Sequence, residues 1–596
     1  IEAAWAGANL GARVALVTLD ATKIGVMSCN PAIGGLAKGH MVREIDALEG
    51  LMPRLTDETG IMFKLLNTSR GPAVRGPRAQ CDKHAYARAA QSSIASRSEI
   101  EVVEGAAESF LIDDSGDERV CEGVTVRTKH GRSIMLRAGA VVLTTGTFMR
   151  GLMHEGDKKV EGGRAGEAPA NTMSRTLKEL GFELGRLKTG TPPRLDRSTI
   201  EWNSLDPQYG DAEPIPFCDM TDPARFPLIE QVECRITRTD AAAHDLIRAN
   251  LDRAPMFSGE IESAGPRYCP SIEDKVVRFA ERESHHVFLE PESHETEWVY
   301  CNGISTSLPA DVQDGIVRSL PGCAKARVLQ YGYAVEYDMV RPHQIGPAGM
   351  TKSVRGLFLA GQINGTSGYE EAGGQGLVAG VNAVRLARGQ GEWALGRDEA
   401  YIGVMMDDLV TKTPVEPYRM FTSRAEYRLL LRADNAADRL TPVARELGLA
   451  SDERWAKYEE RQHELAVLDN AIGRARAKGE ALAKRIKRPG YTETDLIGDL
   501  LEGGESAPER SILSTVLADR QYAGYIDRQR AEVKRFAQTE RMRIPGDFAW
   551  ADVTGLRTEA KEALARFKPD TLGRASRLEG INPADMSLML VALGKR

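Results

Sequence analysis

The chain opens with a helix-then-strand pattern of small and apolar residues. Small residues between positions 3 and 8 recur at helical spacing, Gly11 follows them, and residues 14–17 form a short apolar run. Such a run is typical of a buried strand, and a small-residue face lets a helix lie close to a parallel sheet. The pattern predicts the second half of a βαβ unit. We therefore expect its glycine-rich phosphate-binding turn immediately before Ile1.

Two later stretches extend this pattern. Residues 132–147 contain an apolar strand that ends in Thr-Thr-Gly, and residues 356–384 contain a strand, a glycine-rich turn and a helix with a small-residue face. A helix start offers free N–H groups and the positive end of its dipole to an anionic or electron-rich cofactor. The three stretches together are typical of flavoproteins with two dinucleotide-binding domains, and they predict an α/β fold.

The remaining segments predict how this fold is divided. Proline and turn residues are frequent from about 195 to 345, where the apolar runs at residues 287–289 and 298–300 predict strands. After residue 400 the composition shifts towards Ala, Leu, Glu and Arg, and residues 452–490 have helical periodicity. We expect a Rossmann-like FAD-binding domain with an inserted α/β domain and an α-helical C-terminal domain. The expected boundaries are 1–195 and 346–400 for FAD binding, 196–345 for the inserted NAD or substrate domain, and 401–596 for the helical domain.

Composition narrows the class of protein. The 596 residues carry a net charge of −7, which excludes a uniformly basic nucleic-acid binder but leaves local basic patches open. Eight cysteines are widely spaced without a CxxC pair, so we expect no metal site and a reducing, cytoplasmic location. No run of about 18 apolar residues occurs, so no membrane span is expected.

Two cysteines stand in settings that favour reactivity. Cys29 precedes a PAIGG turn, and Lys38 and His40 follow it as possible sources of positive charge. Cys269 follows Arg267 and precedes a predicted helix start. Because a lone cysteine is more often a small buried apolar residue, each of them has a purely structural interpretation.

Basic residues cluster within residues 70–78, 419–432 and 474–488. These three clusters predict a polyanionic partner such as RNA. Each cluster taken alone is more simply a solvated face. In the second cluster, the i,i+4 spacing of Arg428 and Arg432 predicts that they share a helix face. The first two clusters contain the residues that we select as RNA-binding candidates: Arg70, Arg75, Arg78, Arg424 and Arg428.

Nine segments resemble one family across essentially the whole chain. They are CNPAIGG, RGPAVRGPRAQ, GGRAGE, GRLKTGTPPRLD, GPRYCPSIEDKVVRF, NGISTSLP, AGQINGTSGYEEAGGQGLVAG, EPYRMFTSRAEYRLLLRAD and YAGYIDRQ. These segments resemble the MnmG (GidA) family of FAD-dependent enzymes that modify the tRNA wobble uridine.

The resemblance implies site residues by position. It makes Cys29 and Cys269 the two catalytic candidates. The residues implied as FAD contacts are Ala107, Ala170, Gly361, Gln362, Asn364 and Gly365. The residues implied as NAD contacts are Gly265, Pro266, Arg267, Tyr268, Pro270, Ser271, Ile272, Glu273, Asp274, Lys275, Val276, Val277, Arg278 and Phe279.

The resemblance also implies an activity and partners. It implies that an aminomethyl or carboxymethylaminomethyl group is added to C5 of the wobble uridine, with FAD, NADH and methylene-tetrahydrofolate as cofactors. It implies work with the GTPase MnmE, through a homodimer that assembles into a heterotetramer. A cysteine thiolate would add to C6 of the uridine. The division of labour between the two cysteines stays open.

Other functions remain as alternatives. A folate- and FAD-dependent methyltransferase of the tRNA T-loop uridine shares the flavin core but lacks the long helical region. A general NADH:flavin oxidoreductase needs no arginine clusters. A non-catalytic tRNA or partner scaffold needs no FAD.

Overall fold

The computed structural model describes residues 1–259, 261, 270–414 and 416–594. In chain order its strands are β1 (Val14–Thr18), β2 (Ala32–Gly34), β3 (Gly60–Leu66), β4 (Gly76–Cys81), β5 (Ile100–Asp113), β6 (Val120–Thr128), β7 (Ser133–Arg137), β8 (Val141–Leu143), β9 (Leu152–Glu155), β10 (Lys158–Glu161), β11 (Leu184–Thr191), β12 (Arg194–Asp196), β13 (Asp206–Gln208), β14 (Cys234–Arg238), β15 (His286–Pro291), β16 (Trp298–Asn302), β17 (Val328–Gln330), β18 (Tyr333–Val340), β19 (Leu357–Leu359), β20 (Arg476–Ala477) and β21 (Glu480–Ala481).

The α-helices in the same residues are α1 (Glu2–Asn9), α2 (Lys38–Ala47), α3 (Met52–Thr59), α4 (Lys83–Ala95), α5 (Asn171–Glu179), α6 (Ala241–Arg248), α7 (Ile272–Arg278), α8 (Ala310–Ser319), α9 (Tyr369–Ala387), α10 (Tyr401–Thr411), α11 (Ala436–Leu447), α12 (Asp452–Arg474), α13 (Leu482–Arg485), α14 (Glu493–Glu502), α15 (Arg510–Arg541), α16 (Thr558–Phe567), α17 (Leu572–Ser576) and α18 (Pro583–Gly594).

The predicted α/β core is present as parallel strand pairs. β1 pairs in parallel with the first part of β5, and β19 pairs in parallel with β8, with Leu357 opposite Val141. The rest of β5 turns into an antiparallel meander with β6 and β7. Thr144, Thr145 and Gly146 follow β8 directly. The strand that the sequence predicts in residues 132–147 is therefore β8, and it ends at the Thr-Thr-Gly turn.

The small-residue faces of α1 and α9 let these two helices lie in close contact. A Cβ on Gly380 would lie 2.5 Å from the Ala3 carbonyl oxygen, and a Cβ on Gly7 would lie 3.0 Å from Val14. Because a Cβ–oxygen distance under 3.0 Å forces a shift, only glycine fits at position 380. The approach of Gly7 to Val14 agrees with the predicted close packing of the first helix on the sheet, whereas the contact between α1 and α9 is a helix–helix contact that the sequence did not predict.

Antiparallel sheets flank this core. One has the order β13-β14-β15-β16-β12-β17, and α6, α7 and α8 complete its apolar core. A second has the order β10-β9-β18-β11, and a third has the order β2-β4-β3. The strands predicted around Val287 and Val299 are confirmed as β15 and β16. The proposed domain boundaries remain predictions.

The chain after residue 400 is helical, with two apolar clusters of its own. One lies between α12, α14 and α15, and the other involves α16, α17 and α18. The long helix predicted from residue 452 is confirmed as α12, although it ends at Arg474 and a short β20–β21 hairpin follows. Among the described residues, no helix combines the length and apolarity needed to cross a membrane.

The predicted shared helix face of Arg428 and Arg432 is wrong. Residues 425–435 form turns and bends that precede α11. Arg432 is fully buried and forms ion pairs with Asp434 at 2.9 Å and with Asp519 of α15 at 2.7 Å. These two carboxylates pair with the buried guanidinium, which explains why this arginine is held in the interior and is not exposed beside Arg428.

Candidate active site and arginine surface

The loop that carries Cys29 is shaped by glycine. β2 pairs with β4, and Gly34 and Gly35 follow with φ of +88° and +112°, a region that favours glycine. A Cβ on Gly34 would lie 2.3 Å from the Pro77 carbonyl oxygen on β4. The backbone of the PAIGG turn therefore lies in direct contact with β4, and this contact fixes the position of Cys29.

This loop is tied to the start of α9. The Cys29 N–H donates a hydrogen bond to the Tyr369 hydroxyl at 2.9 Å, and the Gly34 N–H donates to Glu370 Oε1 at 2.7 Å. Lys38 lies 2.9 Å from Glu370 and 3.2 Å from Glu371. The cysteine loop and the helix after the glycine-rich turn are therefore joined by several polar contacts.

The expectation that Lys38 and His40 supply positive charge to Cys29 is wrong. Burial alone would lower the pKa of Lys38, but the Glu370 and Glu371 carboxylates raise it, and the ammonium faces them. His40 is fully buried, and burial lowers its pKa to about 4, so the ring is neutral near pH 7. The local sequence shows that two residues able to carry a positive charge follow Cys29. It does not show that two glutamates pair with Lys38 or that burial keeps His40 neutral.

Arg194 and Tyr300 occupy the space beside the thiol instead. The Cys29 Sγ lies 3.0 Å from the Tyr300 hydroxyl, and either atom can be the donor. The Arg194 guanidinium lies 4.9 Å from the centre of the Tyr300 ring and donates to the Ser28 carbonyl at 3.3 Å. The surroundings of the thiol therefore include a phenol hydroxyl and a buried guanidinium.

Neighbouring carboxylates and carbonyls hold Arg194 in place. It is almost fully buried, lies 3.4 Å from Glu292, and donates to the Pro192 carbonyl at 2.9 Å. Lys83 lies 3.3 Å from the same Glu292, and burial lowers the pKa of this lysine. The site therefore combines one thiol, two tyrosine hydroxyls and two partly neutralised cations.

The FAD candidates lie along one continuous path. Gln362 is close to the Thr-Thr-Gly turn, because a Cβ on Gly146 would lie 3.7 Å from Gln362 Oε1. Two residues after that turn, the Phe148 carbonyl accepts a hydrogen bond from the Ala170 N–H at 2.8 Å, and Ala170 is the N-cap residue of α5. α5 packs on β5, which carries Ala107, and the Thr176 hydroxyl donates to the Glu108 carbonyl at 2.9 Å.

The side chains on this path fit a flavin nucleotide. The hydroxyl of Thr145 and the Oδ1 of Asn364 are buried without a hydrogen-bond partner in the part of the chain that the structure describes. Gly361 and Gly365 have φ of +87° and +83°, which bends the backbone sharply before α9. Unpaired polar atoms beside a glycine turn suit an elongated polar ligand, because buried polar groups are normally paired.

The NAD candidates lie only partly within the described residues. Residues 265–269, which include Cys269, lie outside them. Ser271 caps α7 by accepting from the Asp274 N–H at 3.3 Å, and Lys275 donates to the Gly303 carbonyl at 2.7 Å. Glu273 accepts from the Thr306 hydroxyl at 2.8 Å. These contacts anchor the start of α7 to the loop after β16.

The arginine candidates divide into exposed and paired groups. Arg70 and Arg428 are exposed, and Arg75 is partly exposed with its guanidinium 3.5 Å from Glu493. Arg78 lies 2.7 Å from Glu290, whose other oxygen accepts from Asn30 Nδ2 at 2.6 Å. Arg78 therefore lies beside the Cys29 loop, to which it is connected through Glu290.

Arg424 has partners inside the protein. Its guanidinium lies 4.4 Å from the centre of the Tyr418 ring and 3.5 Å from Asp408. Of the five arginine candidates, Arg70 and Arg428 are therefore the ones presented most openly to solvent, and Arg75 is intermediate.

Sequence reasoning missed Arg194, Tyr300 and Tyr369 as neighbours of Cys29. The first lies in TGTPPRLD, the second ends the apolar run of β16, and the third follows the glycine-rich turn. Each segment has a recognisable local pattern, but no sequence spacing relates these three residues to Cys29. Tyr369, for example, is 340 residues from Cys29. Long-range contacts of this kind carry no local signal.

The fold and the site define a class of protein: a Rossmann-like α/β protein of the FAD-binding kind with a C-terminal helical bundle. The family model described as "Glucose inhibited division protein A" matches residues 1–391. A second model, "tRNA modifying enzyme MnmG/GidA C-terminal helical bundle", matches residues 532–596. The chain belongs to the GidA (MnmG) family.

Relatives and solved structures agree over the full length. Proteins named "tRNA uridine 5-carboxymethylaminomethyl modification enzyme MnmG" are 47% identical in Rhodopirellula baltica and 48% identical in Syntrophotalea carbinolica. Each alignment covers 99% of this chain, with 91% and 96% of the relatives. Two crystal forms of Aquifex aeolicus GidA give TM-scores of 0.89 and 0.90 at 42% and 44% identity, over 100% of this chain and 96% and 98% of theirs.

Proposed function

We propose that the protein is an FAD-dependent enzyme that adds an aminomethyl or carboxymethylaminomethyl group to C5 of the tRNA wobble uridine. The observation that carries the proposal is the full-length similarity to relatives that bear this activity in their names. The geometry around Cys29 supports it, because uridine C5 needs a nucleophile at C6 before it can react with an electrophilic carbon.

The proposed chemistry begins with a cysteine thiolate. Its sulfur bonds to C6 of the uridine, and the electron pair of the C5=C6 bond moves to C5 and the O4 carbonyl. C5 then bonds to the carbon donated by methylene-tetrahydrofolate, and one bond from that carbon to a folate nitrogen breaks. An amine bonds to the same carbon as its second bond to the folate breaks. The two folate nitrogens keep the electron pairs and take up the protons that C5 and the amine lose. A base removes the C5 proton, the C6–S bond breaks, and the double bond returns with release of the thiolate. Each sulfur bond made is broken again, so the cysteine ends unchanged.

In this scheme, the residues around Cys29 hold and orient the thiol. The Tyr300 hydroxyl shares a hydrogen bond with the Cys29 sulfur, and the Tyr369 hydroxyl holds the Cys29 backbone N–H. Arg194 supplies a positive charge nearby. Cys269 is the second candidate for the nucleophile or for acid–base support. The roles of the two cysteines remain open in this proposal.

The cofactor proposals follow the same residues. Gln362, Gly361, Asn364, Gly365, Ala170 and Ala107 would hold FAD, which supplies redox chemistry for the one-carbon unit when bound. Residues 265–279 would bind NADH as reductant, and methylene-tetrahydrofolate would donate the carbon. Support for FAD comes from the unpaired buried atoms of Thr145 and Asn364 on this path.

The proposed partners are tRNA and the GTPase MnmE. In this proposal the protein forms a homodimer, and the homodimer assembles with MnmE into a heterotetramer in the cytoplasm. Support for tRNA comes from the exposed Arg70 and Arg428 and from the names of the relatives. In this proposal, residues 401–596 meet tRNA and the partner protein.

The test uses a bacterial strain that lacks its own family member. Wild-type protein should restore the modified wobble nucleoside, measured by mass spectrometry of digested tRNA. Cys29→Ser and Cys269→Ser should each abolish it, whereas Cys121→Ala, a buried cysteine whose Sγ contacts the Gly123 carbonyl, should retain it. Normal modification by the Cys29→Ser/Cys269→Ser double variant would overturn the covalent chemistry.

The same digest separates the alternatives. A methylated T-loop uridine without a wobble product would identify a methyltransferase. NADH oxidation by purified protein with no change in any tRNA would identify a general oxidoreductase. Purified full-length protein without flavin absorbance would favour a scaffold.

A further inference from the structure

The long helix α15 carries an exposed face of aromatic and basic residues that the chemistry above does not use. Tyr525 is 59% exposed and Phe536 is 42% exposed. The Arg528 guanidinium lies 5.8 Å from the centre of the Tyr525 ring, and that of Arg535 lies 4.5 Å from Phe536. Neither arginine has an ion pair among the residues that the structure describes.

These four residues lie on one side of α15. At 100° per residue, positions 525, 528, 535 and 536 fall within about 100° of helix circumference. The two rings are separated by about 16 Å along the axis, at 1.5 Å per residue. From Asp527 to Arg541 the helix has five basic and three acidic residues, although the whole chain is acidic. One of the acids, the exposed Glu532, lies on the same side between Arg528 and Arg535.

α15 also contacts the two loops that carry the exposed arginines, Arg70 and Arg428. Tyr522, one turn before Tyr525, reaches the loop with Arg70, where a Cβ on Gly71 would lie 2.0 Å from its hydroxyl. Further along α15, Gln529 donates to the Glu426 carbonyl at 3.1 Å, two residues before Arg428. α15 therefore contacts both loops that present exposed arginines.

We propose that Tyr525, Arg528, Arg535 and Phe536 form a contact surface for tRNA. The inference rests on the proposed function and names where its RNA substrate is held. The rings would stack on unpaired bases, and the guanidiniums would contact phosphates; both are recurrent modes of RNA recognition. RNA is favoured over a protein partner because basic residues outnumber acidic ones along this part of α15, and because the helix contacts both loops that present exposed arginines.

The test is fluorescence anisotropy of an end-labelled, unmodified tRNA transcript titrated with the full-length protein. Tyr525→Ala/Phe536→Ala should raise the Kd about 30-fold or more, because each of the two base–aromatic stacks contributes a factor of about five or more to the affinity. Arg528→Gln/Arg535→Gln should weaken binding and reduce the slope of log K against log salt by about 1.4–1.8, since each phosphate contact contributes roughly 0.7–0.9.

Two control variants match these changes elsewhere on the surface. Tyr209→Ala removes a ring that is 61% exposed, and Arg132→Gln removes an exposed arginine in the β6–β7 turn. Both should bind tRNA like wild type. Thermal unfolding and flavin absorbance of every variant will show that weaker binding does not come from misfolding.

The outcomes separate this inference from the proposed function. If wild-type protein binds tRNA and both α15 double variants bind it equally well, the inference is overturned while the function stands. If the double variants keep tRNA affinity but change the oligomeric state or lose a partner protein, the face is a protein interface and the inference is again wrong. A wild-type protein with no affinity for tRNA would overturn both.

Discussion

At the residue scale, buried charges in matched sets hold the cysteine loop in place. Lys38 lies between Glu370 and Glu371, and Arg194 lies beside Glu292 and Tyr300. Removing one member of a buried set leaves an uncompensated charge, which costs more than the pair itself contributes. The geometry around Cys29 therefore depends on residues that need not touch the substrate.

Lys38→Met should destabilise the protein because it leaves two carboxylates buried without their cation. We expect a loss of about 3–5 kcal/mol, seen as a lower midpoint of thermal unfolding. Lys129→Met is the matched control, since the Lys129–Glu104 pair is exposed and its loss should leave the thermal midpoint nearly unchanged. Equal midpoints for the two variants would contradict the role given to Lys38.

His40 should make stability fall in acid. Burial lowers its folded-state pKa from 6.5 to about 4, so below pH 6.5 the unfolded chain binds a proton that the folded protein does not. Stability is then lost as pH falls from 6.5 towards 4, by about 3 kcal/mol in total at low pH. Thermal midpoints between pH 4 and 7 should fall less steeply for His40→Gln than for wild type, while the exposed turn variant His130→Gln should follow the wild-type curve.

At the element scale, α15 positions loops from distant parts of the chain. Its Asp519 pairs with buried Arg432, its Tyr522 contacts Gly71, and its Gln529 binds the Glu426 carbonyl. A helix packs as a rigid element, so these contacts set the spacing of the two arginine loops. α15 thus connects the helical region to residues 70–75 near the N-terminus.

Gly71→Ala should disturb this arrangement through a steric clash and not through backbone strain. Gly71 has φ of −66°, which alanine adopts easily, but the new Cβ would lie 2.0 Å from the Tyr522 hydroxyl and 3.3 Å from its Cζ. We expect a loss of about 1–3 kcal/mol, typical of overpacking, and weaker tRNA binding in the anisotropy assay.

Tyr522→Phe provides the internal check on that clash. It removes the hydroxyl and leaves the ring, so the Gly71→Ala/Tyr522→Phe double variant should recover most of the thermal midpoint and tRNA affinity. A double variant no better than Gly71→Ala would mean that the hydroxyl is not the obstacle.

At the scale of the whole molecule, a few ion pairs hold the last helices against the rest of the protein. Arg577 of the α17 region contacts both oxygens of Asp407 on α10, at 2.7 and 2.8 Å. Arg566 lies 3.5 Å from Glu183, and both of these side chains are about half exposed. The two contacts differ in burial, so they should differ in strength.

Arg577→Gln should therefore loosen the last helices more than Arg566→Gln does. We expect faster trypsin cleavage near Arg541 and Arg543 in the first variant, with a cost of about 1–3 kcal/mol for the lost charged hydrogen bonds. Asp407 keeps Arg397 at 3.2 Å in this variant, so its carboxylate is not left unpaired. The Arg566→Gln variant should be cleaved at nearly the wild-type rate. Equal cleavage rates would place the main attachment elsewhere.

The sequence alone predicted the elements whose pattern is local. The periodicity of α12, the apolar runs of β15 and β16, and the small-residue face of α9 all gave correct elements. It predicted cations at Lys38 and His40 beside Cys29 and a helix face for Arg428 and Arg432, and both were wrong. Ion-pair partners such as Glu370 and Asp519 lie far along the chain, and only the fold brings them together.

The hydrogen bond between Cys29 and Tyr369 also has a consequence for protein synthesis. The two residues are 340 positions apart, and translation adds roughly 5–20 residues per second, so the loop waits on the order of 20–70 s for its partner to be made. During that interval the nascent thiol lacks the contacts of α9 and β16. The sulfur is therefore more open to oxidants on the emerging chain than in the folded protein, where these contacts surround it.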